Sequence, residues 1–504
     1  MKNNILTQLE QTAFRSKDKT AYSDSYGSIT FGKVEEMAKR IGSALSQRVE
    51  PGSAVAVIMG RNIMTPVAFL GIIYAGCFYV PIDAAMPETR LRDIFAVLNP
   101  AIVLVDAESV EIIKKMDYSG EYVCTENLLR HDIDEQRLAE IAGRSCLDDP
   151  LYVIFTSGST GRPKGVITSS LALTCYIEAY TAVMEIDEND VLGNQSPLDY
   201  IAAVRDIYIP IFTGASMFII PKDDFVVPAV LFKTLNEQHI TAVGWSVSVF
   251  TIMVKLGAFD ENCPAYLRKI CFSGSVMPCS TLRVWQENLP DARFVNQYGP
   301  TECTASCTYY VVKDKVGDAD VLPIGRPYDN YRVFLLGRDN MPVQQGEIGE
   351  ICVAGPALAL GYYNNRELTE KSFIQNPLNQ RYNELIYKTG DYGRLCADGN
   401  IEFKGRIDRQ IKHLGHRVEL TEIDYAALGL QSINEVCAMY HAAKETIYLY
   451  YTGTATVKEI AVYLRGKLPG FMIPRKMIRL EEMPRLANGK IDMQVLKNKM
   501  LCDN

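Results

Sequence analysis

Between Phe31 and Leu45, apolar residues recur at helical spacing with charged residues between them, which predicts an amphipathic helix burying one face. A different texture follows. Ala54-Val-Ala-Val-Ile-Met59 is continuously apolar, as expected of a strand covered on both faces. Ile102-Val-Leu-Val105, Leu151-Tyr-Val-Ile-Phe155 and Ala215-Ser-Met-Phe-Ile-Ile220 repeat it. Such strands alternating with helical segments predict an α/β fold with layered, mostly parallel sheets and helices. After about residue 320 the pattern changes. Tyr331–Leu336, Gly349–Gly355 and Asn400–Phe403 are strand-like and closely spaced by Gly turns, which predicts a β-rich subdomain. At Gly405-Arg-Ile-Asp-Arg409 a glycine turn meets mixed charges, a plausible boundary. This predicts a large N-terminal domain, 1–407, and a small α+β C-terminal domain, 408–504.

One segment could mislead. Asn62 to Ile82 carries no charge and is long enough to cross a bilayer. Pro66, Gly71, Gly76 and Pro81 interrupt it, however, and Tyr79-Val-Pro-Ile-Asp83 looks like a buried strand entering a turn. A packed helix followed by a strand is expected, with no membrane span.

Composition narrows the class. The chain has 504 residues, 48% apolar and 22% charged, as in ordinary globular proteins, and long enough for more than one domain. A net charge of −8 offers no bulk attraction to nucleic acid or anionic lipid. Thirteen cysteines lack paired C-x-x-C spacing, and Cys303 and Cys307 have no neighbouring His to complete a zinc site. Reduced thiols and a cytoplasmic location are expected, since the N-terminus also lacks an apolar signal core.

The strongest chemical signal is Thr156-Ser-Gly-Ser-Thr-Gly-Arg-Pro-Lys164-Gly, directly after an apolar strand. Its glycines allow backbone N–H groups to face an anion closely. Ser157, Ser159 and Thr160 add hydroxyl donors, and Lys164 adds positive charge. That is a triphosphate cradle, although the spacing is not that of the Walker loop. A flexible Gly/Ser linker is the competing reading; the preceding strand and the Pro-Lys-Gly ending argue against it.

The loop resembles the signature of the adenylate-forming superfamily, which includes acyl-CoA ligases, luciferases and adenylation domains of nonribosomal peptide synthetases. Other blocks match in the expected order: Tyr74–Asp83, Asn296–Glu302, Gly349–Gly355, Tyr387–Asp391, Gly405–Asp408, Leu468–Pro474 and Asn488–Lys490. The set is most similar to stand-alone adenylation domains and D-alanine–carrier-protein ligases.

That resemblance implies ATP and Mg²⁺ as cofactors. A carboxylic acid would be activated as acyl-AMP with loss of pyrophosphate. The acyl group would then pass to the phosphopantetheine thiol of a separate carrier protein, or to CoA. Thr156, Ser157, Gly158, Ser159, Thr160, Gly161 and Lys164 would hold the departing phosphates. Thr301 would bond a phosphate oxygen and Glu302 would hold the metal. Asn296, Gln297, Tyr298 and Gly299, with Gly274 and Ser275 opposite, would form the adenine side. Asp391 and Arg406 would hold the ribose. Lys490 would bridge the carboxylate and the α-phosphate. Asp408 would be the hinge of a mobile C-terminal domain. Outside the motif, Glu302 could be a helix-start carboxylate and Asp391 a turn residue. At His413-Leu-Gly415, Leu414 stands where relatives often carry a basic or polar residue, which affects contacts with the thiol donor.

The acid pocket departs from the family pattern. Amino-acid-activating relatives place an Asp where this chain has Ile201. Isoleucine cannot pair with an α-ammonium, and a buried unpaired charge is costly. The expected substrate is therefore not an ordinary α-amino acid but an aryl or other acid. Asp199 could instead serve an amine placed differently, as in a β-amino acid. Ala202, Gly244, Cys271, Ser273, Gln297, Ala305 and Ser306 complete the inferred pocket, mostly with small residues that leave room for a ring. Arg205 could donate to a phenol, pair with a second carboxylate, or form a salt bridge to Asp206. Leu428-Gly-Leu-Gln-Ser432 lacks the Asp of a carrier motif; Ser432 is expected to be structural, and the carrier a separate protein.

Overall fold

The computed structural model describes residues 4–158, 162–260, 262–317, 320–406, 409–485 and 491–502. The chain forms two compact units. The first comprises Met1–Ala84, Leu98–Ile154 and Gly165–Gly405; the second comprises Ala85–Val97, Phe155–Lys164 and Arg406–Asn504.

Layered α/β architecture dominates the first unit. Among the described residues, a nine-stranded sheet has a parallel centre ordered Arg293–Tyr298, Lys269–Ser273, Ala242–Ser246, Val191–Asn194, Ser216–Ile219 and Thr20–Asp24. Antiparallel strands close its two edges. A second sheet runs parallel through Pro150–Thr156, Phe78–Pro81, Ala54–Ile58, Ile102–Val105 and Tyr122–Cys124. The expected β-rich region is a smaller antiparallel sheet of Arg332–Leu336, Ile348–Ala354, Leu385–Leu395 and Phe373–Gln375.

The uncharged stretch resolves into the helix Met64–Tyr74 and the strand Phe78–Pro81. That helix is apolar all round and buried along most of its length, so it is a core helix. It crosses the amphipathic helix Phe31–Leu45 at two glycines. A Cβ on Gly42 would lie 2.4 Å from the Tyr74 Cβ, and one on Gly71 would lie 2.4 Å from the Ile41 Cγ2. No helix among the described residues is long and apolar enough to cross a membrane.

In the second unit, the hairpin Gln410–His413/His416–Glu419 leads into the helix Leu420–Leu428. The hairpin turns through Leu414 and Gly415, with φ of 51° and 84°. Leu414 thus adopts a left-handed conformation that costs an L-residue roughly 1–2 kcal/mol. A sheet of Ile433–His441, Thr446–Gly453 and Lys476–Arg479 follows. Ser432 lies in the turn before it, and its carbonyl accepts from the Thr454 and Ala455 amides. The helix Val457–Arg465 starts with a capping box between Thr456 and Glu459.

Candidate active site

Ligands of open parallel sheets bind beyond the carboxyl ends of the strands. In the first unit, several of the candidate residues lie there. Lys269–Ser273 and Arg293–Tyr298 pair in register, with Ser273 opposite Gln297. Lys269–Ser273 runs out into Gly274, whose φ of +100° suits glycine, and then Ser275. Arg293–Tyr298 carries Asn296, Gln297 and Tyr298, then Gly299 and the short 3₁₀ turn Thr301–Cys303. Gly299 is required by space: a Cβ there would meet the Ser306 Cα at 2.3 Å.

This turn buries Glu302 completely. The Tyr362 hydroxyl donates to its Oε1 at 2.7 Å. The Ala359 amide donates to its backbone carbonyl at 2.9 Å, and the Tyr331 hydroxyl holds the next carbonyl, that of Cys303, at 3.0 Å. Thr304 and Ala305 then both take positive φ, 51° and 73°. Such non-glycine strain costs of order 1–3 kcal/mol and persists only where surrounding contacts fix it. Here the Thr304 hydroxyl donates to the Ala357 carbonyl at 2.7 Å.

Asp391 reaches the same strand end from the long strand Leu385–Leu395. The Tyr298 hydroxyl donates to its Oδ2 at 2.5 Å, and the Asp391 amide donates to the Thr389 hydroxyl at 3.0 Å. Burial raises the Tyr298 phenol well above its ordinary range, and the Asp391 charge adds to this. Tyr298 is therefore a neutral donor that fixes the carboxylate. The Phe403 ring lies 6.2 Å from the Tyr298 ring. Asn296 is oriented by its Nδ2, which donates to the Pro323 carbonyl at 2.8 Å.

The acid-pocket candidates are also in this unit. Ile201 is buried. Burial pushes the Asp199 carboxyl up to about 7; Asp83 adds to the rise and Lys222 opposes it. Arg205 is buried and lies beside Asp206, with Nε 3.4 Å from Oδ1. Gln297 and Ser306 are joined by a 3.2 Å hydrogen bond from the Ser306 hydroxyl to the Gln297 Oε1. Gly244 and Cys271 face each other in register on neighbouring strands, and Ala202 and Ala305 are half-buried.

The described residues of the candidate phosphate loop belong to the second unit. The Thr156 hydroxyl is 3.5 Å from the Lys164 carbonyl, which accepts from it. The Ser157 hydroxyl donates to the Arg417 carbonyl at 2.8 Å. Gly158 admits no side chain, because a Cβ would lie 2.1 Å from the Arg162 carbonyl oxygen. Within the same unit the buried Glu422 pairs with Arg90. Burial pushes its carboxyl up to about 7, against Arg90 and the Gly158 amide, which favour ionisation. Arg406 begins the C-terminal segment of this unit. Ser159, Thr160, Gly161, Asp408 and Lys490 lie outside the described residues.

Sequence reasoning missed Tyr362, Arg90 and Glu422. Tyr362 follows the Gly349–Gly355 block closely but has no motif of its own. Arg90 and Glu422 are 332 positions apart, so nothing local links them.

Comparison with known proteins places this geometry. The family model "AMP-binding enzyme" matches residues 9–363. Bacitracin synthase 1 of Bacillus licheniformis is 30% identical over 98% of this chain, and tyrocidine synthase 3 of Brevibacillus parabrevis is 29% identical over 97%. The chain spans only 9% and 7% of those two relatives. Among solved structures, the Vibrio cholerae adenylation domain AlmE in complex with glycyl-adenosine-5'-phosphate superimposes with a TM-score of 0.85. It is 19% identical and covers 100% of this chain and 98% of its own. Klebsiella oxytoca NpsA in complex with 3-hydroxyanthranilyl-AMSN gives 0.70 at 21% identity, covering 99% of this chain and 99% of its own. With a model match over 9–363 and these relatives across nearly the whole sequence, the chain belongs to the AMP-binding enzyme family and has the fold of an adenylation domain.

Proposed function

We propose that the chain activates a carboxylic acid with ATP and Mg²⁺, forming an acyl-adenylate and pyrophosphate, and then acylates the phosphopantetheine thiol of a separate carrier protein. The observation that carries this reading is the gathering of Thr301, Glu302, Tyr298 and Asp391 at one strand end in a chain matched as an AMP-binding enzyme. Asp391, aimed by Tyr298, would accept from the ribose hydroxyls. The phosphate loop and Thr301 would hold the phosphates as they leave.

A Mg²⁺ ion would neutralise charge on those phosphates. Glu302 suits such an ion, being a hard oxygen donor next to the Thr301 hydroxyl and rigidly held by Tyr362. Among the described residues, no group of three or more His, Cys, Asp or Glu side chains is placed to hold a metal ion by itself. This donor set suits an ion held by one carboxylate, phosphates and water, the common arrangement for Mg²⁺. Lys490 would stabilise charge developing between the carboxylate and the α-phosphate. Asp408 would be the hinge that carries it in and out, with 1–407 and 408–504 as the two moving parts.

The acid is an aryl or other non-α-amino acid in this reading, because Ile201 is buried where an α-ammonium would need an anion. Asp199 supports a second reading. It is a carboxylate near Asp83 with its ionisation hindered by burial, and a substrate amine outside the α position would relieve both. A β-amino acid fits that description. CoA is the alternative thiol.

Two products discriminate these readings. The protein is incubated with ATP, Mg²⁺ and amino, aryl or dicarboxylic acids, in the presence of holo-carrier or CoA. Intact mass is expected to show an acylated carrier with a non-α-amino acid. Acylation driven only by standard L- or D-α-amino acids would sink the substrate reading. Acyl-CoA without acyl-carrier would sink the carrier reading.

A further inference from the structure

Arg205 and Asp206 lie in the first turn of the helix Ala203–Thr213, yet both residues are buried, 2% and 1% exposed. A guanidinium is costly to bury unless its charge is balanced. Here groups of the chain itself face the charge, although the buried Nε makes no hydrogen bond. The Arg205 Nη2 donates to the Gly244 carbonyl, Nε lies 3.4 Å from the Asp206 Oδ1, and Cζ lies 5.9 Å from the centre of the Tyr180 ring. Burial opposes the charge, and the neighbouring Asp206 carboxylate favours it. Asp206 is held in turn by the Asn194 Nδ2 at 2.9 Å.

Gly244 supplies an independent observation. It sits mid-strand in Ala242–Ser246 and is not among the residues with positive φ, so its conformation does not call for glycine. Space does. A Cβ at 244 would lie 2.4 Å from the Arg205 Nε and 2.6 Å from Cζ. The guanidinium therefore lies against the strand backbone, in the place a side chain at 244 would take. Cys271, in register with Gly244 on the next strand, feels it too: burial raises the thiol to about 11 and Arg205 opposes the rise. The room that Gly244 leaves is thus occupied by Arg205.

We propose that Arg205 is a specificity-determining plug, filling the space over Gly244 within the proposed acid site and restricting the substrate to compact acids with short acyl chains. The proposal rests on the adenylating reading above and favours its non-aryl arm. A ring would have to displace the guanidinium from both Asp206 and the Gly244 carbonyl, leaving buried polar groups unpaired.

The test is ATP–pyrophosphate exchange with two matched pairs, propionate against benzoate and β-alanine against 3-aminobenzoate. The wild type, Arg205→Ala and Arg205→Met are compared. The readout is the ratio of kcat/KM for the short acid to that for the ring acid, which does not depend on the fraction of folded enzyme. The wild type should favour the short member of at least one pair by ~10-fold or more, and Arg205→Ala should lower that ratio ~10-fold or more, the scale on which pocket size discriminates. Arg205→Met, similar in length but uncharged, should lower it less. Equal wild-type rates with ring and short acids, or a ratio unmoved in Arg205→Ala, would overturn the plug while leaving adenylation intact. Absence of exchange with every acid would instead count against adenylation itself.

Discussion

At the residue scale, the site depends on buried hydrogen bonds that orient charge. Tyr298 and Asp391 are an example. Both fall in motif blocks, so each was legible as a candidate. Their mutual bond was not, because it joins strands of two different sheets and 93 positions of sequence. Tyr298→Phe should leave the Asp391 carboxylate short of a donor and cost about 1–3 kcal/mol of stability. It should also raise KM for ATP more than it lowers kcat; urea unfolding and initial rates check both. Asp199 carries a pH signature. Its carboxyl titrates near 7 when folded against an ordinary 3.8. Between those values the folded chain keeps a proton that the unfolded chain releases, so stability falls as pH rises from about 4 to about 7 and levels off above. Asp199→Asn should flatten that part of the stability profile in denaturant melts across this range.

At the element scale, patterning was informative where one face differs from the other. The helix Phe31–Leu45 follows from its helical periodicity, and the strand Ala54–Ile58 from a short continuous apolar run. The uncharged stretch was readable as helix then strand because its prolines and glycines interrupt a span. The helix Ala203–Thr213 was harder to see. It contains Pro210 and is buried on nearly all sides, so it has no polar face, and Arg205 and Asp206 resemble surface residues in the sequence. The glycine crossing of Phe31–Leu45 and Met64–Tyr74 was also invisible, since spacing does not show which helices touch. Gly71→Val should force these helices apart and lower stability by about 1–3 kcal/mol, with a matching loss of soluble folded protein. Gly52 gives the contrast: although its φ is positive, a Cβ there meets nothing within 4 Å, so Gly52→Asn should cost far less.

At the scale of the whole molecule, sequence order hides which segments belong together. Ala85–Val97 and the phosphate-loop segment Phe155–Lys164 cluster with Arg406–Asn504, and within that unit Arg90 pairs with the buried Glu422. A boundary read from local texture cannot reveal contacts made over 332 positions. Removing one member of a buried ion pair typically costs about 3–5 kcal/mol. Glu422 can escape part of that cost by taking up a proton, since its carboxyl already titrates near 7. Arg90→Met should therefore destabilise the protein clearly at pH 8 and much less at pH 5, as thermal unfolding at the two values would show.

The adenylating reading itself rests on the whole set of blocks, from the loop at Thr156 to Lys490. Its most direct test is acid-dependent ATP–pyrophosphate exchange in the wild type and in Lys490→Ala. The account predicts exchange that requires a carboxylic acid and falls roughly 10²–10³-fold on loss of the lysine. Exchange in Lys490→Ala equal to that of the wild type, or no exchange with any acid, would contradict it.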